Sequence, residues 1–187
     1  MKTIELYECG SEGRSGRRTV ALTMEREQLI YDVRNLCFVE GHIMEGAETG
    51  DPSLREARHM VQDVGEEGNV DRVTRVLDMT AADLTEKLFP FTRRDVVLPI
   101  VDDRLRERKV YGFFLDVPED YSQTTLNLLG ELIHEVMVCM AVADWMSITN
   151  PQKEDTWRGK AERAMARINE VKNSRGSRRR IRGHYLG

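Results

Sequence analysis

Residues 124–148 carry apolar side chains at helical spacing on two faces at once. Leu129, Leu132, Ile133, Val136, Met140 and Ala143 form one stripe, and Leu126, Met137, Ala141, Trp145 and Ile148 a second. The apolar surface therefore covers well over half the circumference, leaving Glu131, His134, Glu135 and Asp144 on a narrow polar side. A helix of that length is about 37 Å long. With two apolar faces it needs partners on both, which predicts the central helix of a mainly helical fold. A membrane span is disfavoured: the longest unbroken apolar run, residues 136–143, is short of the roughly 20 residues a span requires.

The rest of the chain is organised around that helix. Thr3-Ile4-Glu5-Leu6-Tyr7 alternates, and Thr19-Val20-Ala21-Leu22 follows a glycine-containing stretch, so residues 1–22 predict two short strands forming an N-terminal arm. Residues 10–16 invite a phosphate-loop reading, but the Gly-Lys-Ser/Thr ending is absent and a flexible hairpin connection fits better. Thr23 is placed to cap a helix with Glu25 and Glu27 in its first turn. Leu29, Ile30, Val33, Cys37 and Phe38 are expected on its buried face, with an end near residues 41–46.

An acidic loop at 45–53 precedes Ser53-Leu54-Arg55-Glu56, the pattern of a capping box, and a short helix bearing Leu54, Ala57, Val61 and Val64. A second acidic loop spans 63–67. Asn69 is expected to cap the next helix, whose buried stripe is Val70, Val73, Val76, Leu77, Leu84 and Leu88. Pro90 stops it, because the residue before a proline avoids the helical region. Residues 96–101 and 110–115 then read as paired strands, a β-hairpin over 94–116, with Pro99 marking an edge. After the central helix, Asn150 caps and Pro151 opens a last amphipathic helix with Trp157, Ala161, Ala164, Met165, Ile168 and Val171 on one stripe. The two C-terminal helices are expected to form an antiparallel hairpin with Trp145 and Trp157 near the shared turn.

The predicted fold is thus mainly α: a helical bundle with a long central helix, a C-terminal helical hairpin, a small β-hairpin and short N-terminal strands. Residues 1–173 form one domain in this reading, and residues 174–187 a basic tail. The 187 residues are enough to bury a substantial core, and no signal-peptide pattern opens the chain. Cys9, Cys37 and Cys139 are widely spaced and odd in number, which points to reduced thiols in a cytoplasmic setting.

The net charge of −4 conceals a division. Residues 153–187 hold 11 Lys and Arg against 4 Asp and Glu, leaving 17 basic and 28 acidic side chains in the first 152 residues. A basic appendage therefore follows an acidic body, and opposite charges on separate faces favour head-to-tail association. Arg175, Arg178, Arg179, Arg180 and Arg182 are the candidate partner-binding residues, numerous enough to neutralise several phosphates. A merely solubilising end is the plainer alternative.

Catalytic chemistry is not evident. No metalloprotease, nucleophile-elbow, P-loop or dinucleotide motif occurs, and His42, His59, His134 and His184 are scattered. His134 with Glu135 could serve as an acid–base pair, but helix surface charge or a satisfied inter-subunit contact is the better reading. Cys37 with His42 supplies two ligands where zinc needs four, and Asp102 with Asp103 suits a turn better than magnesium. The chain is read as non-enzymatic, with no cofactor and no metal.

The C-terminal third resembles the head–tail connector, or neck, proteins of tailed bacteriophages, in particular those of prophages in the Bacteroides group. The resemblance rests on a long apolar helix and a turn of the form A-x-W-x-x-x-T-N, here Ala143, Trp145, Thr149 and Asn150. An amphipathic helix and an Arg-rich end follow. Leu88-Phe89-Pro90-Phe91 takes the place of a corresponding F-P-F helix end. It covers most of the order of elements and residues 124–182 closely; the first 22 residues fall outside it. The resemblance implies a ring between portal and tail in the virion neck, made in the host cytoplasm, and no enzymatic activity. It also implies contacts with portal and neighbouring neck or tail proteins, and with DNA passing through. The reading of a different class is a helical nucleic-acid-binding or regulatory protein that uses the same Arg-rich tail.

Overall fold

A computed structural model of the protein describes residues 3–5, 16–44, 52–92 and 108–173. Three strands, β1 (Thr3–Glu5), β2 (Arg17–Glu25) and β3 (Val110–Pro118), and five helices account for most of them. The helices are α1 (Arg26–Met44), α2 (Pro52–Gln62), α3 (Glu67–Lys87), α4 (Gln123–Thr149) and α5 (Pro151–Asn173), with a 3-10 turn at Asp63–Gly65. The fold is mainly helical with a small antiparallel sheet, as the hydrophobic periodicity predicts.

The sheet has the order β1-β2-β3 with both pairings antiparallel. Alternation decides its faces: Val20, Leu22 and Met24 sit opposite Leu115, Phe113 and Tyr111, and all six side chains are buried on the inner side. The second strand of the expected hairpin is therefore present as β3, but the partner described for it is β2, nearly a hundred residues earlier. Residues 96–101 lie outside the described residues, as do Asp102 and Asp103.

α4 covers the whole of the predicted central helix and packs most extensively against α5, then against α3, α1 and α2. Leu126, Leu129, Ile133, Val136, Met137, Ala141 and Ala143 are buried, so both predicted stripes find partners. Among the described residues α4 is the one helix long and apolar enough to cross a membrane by length and composition. Here its apolar faces are taken up by neighbouring helices within one core cluster that also includes the inner face of the sheet. α5 contributes Trp157, Ala161, Ala164, Ile168 and Val171 to that cluster, the predicted stripe.

Several local expectations give way to tertiary context. Thr23 does not cap α1; it belongs to β2, paired with Gly112, and the chain runs straight from strand into helix. The ladder satisfies its backbone polar groups in both directions, which a cap could not do. Asn69 lies inside the first turn of α3, which begins at Glu67, and its Nδ2 donates to the Asp63 carbonyl at 2.8 Å. Ser53 falls inside α2, which starts at Pro52. Phe38 is 51% exposed, because it lies 100° around α1 from the buried Cys37. Ile148 is 49% exposed at the last turn of α4. The Phe89–Pro90 peptide is cis and follows the end of α3.

Candidate interaction surface

The α4–α5 turn is anchored by its two tryptophans. Trp145 Nε1 donates to the Val61 carbonyl of α2 at 2.9 Å. Trp157 Nε1 donates to Glu40 Oε1 of α1 at 3.2 Å, while Lys153 Nζ lies 3.3 Å from Glu40 Oε2. Lys160 Nζ sits over the Trp157 ring, 3.6 Å from its centroid. A carboxylate as buried as Glu40 requires such partners, since desolvation without them is costly. Sequence reading passed over Glu40. The signal was present: Leu29, Val33, Cys37 and Glu40 share one stripe, so a carboxylate stands where a core residue belongs.

The far end of α5 is held as well. The Tyr121 hydroxyl lies 3.2 Å from the Lys172 carbonyl and 3.4 Å from that of Val171, and burial pushes its pKa up. Lys172 Nζ donates to the carbonyls of Lys87 and Phe89 at the end of α3. Between α3 and α4, Arg72 grips Asp144 with Nε to Oδ2 at 2.7 Å and Nη2 to Oδ1 at 3.1 Å. That hydrogen bond raises the Arg72 pKa further.

The groups considered for catalysis do not converge. His134 Nε2 lies 3.0 Å from Asp32 Oδ2 of α1, whereas Glu135 Oε1 is 3.5 Å from Cys139 Sγ on its own helix. Adjacent helical residues point about 100° apart, so His134 and Glu135 serve different contacts. Burial, reinforced by Glu40 and Glu135 respectively, pushes the Cys37 and Cys139 thiols up to about 12, far from nucleophilic character at neutral pH. His42 is exposed and stacks edgewise on Phe38, with ring centroids 4.4 Å apart, as a helix-end histidine would. Among the described residues no cluster of three or more metal-ligating side chains occurs. Tyr111 is buried facing Asp78, its hydroxyl pushed up by burial and then by that carboxylate, and Arg108 lies 3.6 Å from Asp78. This group ties β3 to α3.

What the surface offers instead is a set of exposed apolar side chains on α1. Tyr31, Phe38, Val39 and Ile43 project from the solvent side of α1 with 62%, 51%, 47% and 60% of their surface exposed. At about 100° per residue Tyr31 and Phe38 share one side of the helix, while Val39 and Ile43 lie roughly 110° further round, with Gln28, Asn35 and His42 between the two pairs. The exposed apolar side chains of α1 are thus divided between two sides of the helix. The acidic loop at 63–67 flanks it: Gly65 leaves the room in which Arg34 of α1 lies, and the exposed Glu66 and Glu67 follow directly. The other acidic loop, 45–51, lies outside the described residues. So do residues 10–15 and the candidate residues Arg175, Arg178, Arg179, Arg180 and Arg182.

Comparison with protein-family models, curated proteins and solved structures finds no match to this chain.

Proposed function

We propose that this chain is a non-enzymatic structural subunit, a head–tail connector or neck protein of a tailed bacteriophage that assembles as a ring between portal and tail. The observation that carries the reading is the α4–α5 hairpin. Ala143, Trp145 and Thr149 end its first helix, Asn150 alone makes the turn, and an Arg-rich segment follows its second helix, the arrangement on which the resemblance to neck proteins rests. The exposed Tyr31, Phe38, Val39 and Ile43 of α1 support it, because a ring subunit needs apolar surface left over for neighbours. Two indole anchors and an ion-paired α3–α4 contact also make the helices a stiff wedge, which suits a ring. Its partners would be further copies, the portal and adjacent neck or tail proteins, with packaged DNA passing through. Its place would be the virion neck.

Mass spectrometry of density-purified phage particles induced from the source organism tests the reading. The chain should occur at a few copies per portal ring. Absence from intact, tailed particles would remove it.

A second reading, a nucleic-acid-binding or regulatory protein, is favoured by one feature. Arg163 and Arg167 stand exposed one turn apart on α5 and extend positive charge toward Arg175–Arg182. It predicts duplex binding whose affinity falls steeply and linearly on a log–log salt plot.

A further inference from the structure

We draw no further inference here: the strongest candidate, the outer edge of β3 with its half-exposed Val110 and Phe114, carries nothing, because the Phe91 carbonyl takes the Asp116 N–H at one end and nothing in the structure shows what covers the remainder.

Discussion

Trp157 Nε1 donates a 3.2 Å hydrogen bond to Glu40 Oε1, joining the start of the last helix to a carboxylate buried 117 residues earlier. The second oxygen of Glu40 is balanced by Lys153 at 3.3 Å. A buried acceptor that loses its donor keeps its full desolvation penalty. Trp157→Phe should therefore lower stability by about 1–3 kcal/mol, beyond what its lost area explains. Glu40→Gln keeps an acceptor for the indole and should cost less than Glu40→Ala. Urea denaturation followed by circular dichroism measures all three, and equal losses for Gln and Ala at position 40 would count against the hydrogen bond.

Arg72 and Asp144 form a bidentate pair whose side chains are 48% and 31% exposed. Solvent screening at that exposure limits its worth. A double-mutant cycle with Arg72→Ala and Asp144→Ala should return a coupling of about 0.5–1 kcal/mol, smaller at high salt. A salt-independent coupling would mean the pair is more enclosed than its exposure indicates.

Ile133 and Ile148 both belong to apolar stripes of α4, yet the first is fully buried and the second half-exposed. Ile133→Ala should cost about 2–5 kcal/mol through lost transfer energy and the cavity left behind. Ile148→Ala should stay within about 0.5 kcal/mol, as surface changes do. Comparable losses at both positions would place a partner on Ile148.

The Cys37 and Cys139 thiols, raised to about 12, stay protonated in the fold while their unfolded counterparts ionise near 9. Above that value the unfolded state binds fewer protons than the folded one. The stability these groups contribute is therefore fully present below pH 9 and is lost as pH rises toward 12. Tyr111 and Tyr121, raised by burial, add to the loss above pH 10. Thermal melts across pH 8–12 should show Tm falling steeply from pH 9. In a Cys9→Ser background, Ellman's reagent at pH 8 should label neither thiol until the protein is unfolded.

Removing residues 174–187 should leave the helical circular dichroism unchanged while abolishing assembly or docking. The core cluster of the described residues already closes with Ile168 and Val171 of α5. Loss of the helical signal on that truncation would show that the segment also supports the fold.

Hydrophobic periodicity alone determined the helices. The two stripes of α4 and the stripe of α5 are properties of spacing, and the boundary between them was set by the local chemistry of Asn150-Pro151. The buried Cys37 was legible from such spacing, and the helix stop before Pro90 from the steric bar a proline sets on the residue before it. The pairing of β2 with β3 was not, because strand partners far apart in sequence leave no periodic trace. Nor was the fate of Thr23 and Asn69, whose capping propensity yields when a ladder or a neighbouring turn claims the same groups. The spacing of Glu40 marks it as a core position, but only the structure shows the Trp157 and Lys153 partners that keep it there, and that Phe38, Val39 and Ile43 remain exposed. Burial belongs to pairs of surfaces, and only the packed structure shows which side chains of α1 are matched by a neighbouring element and which stay exposed.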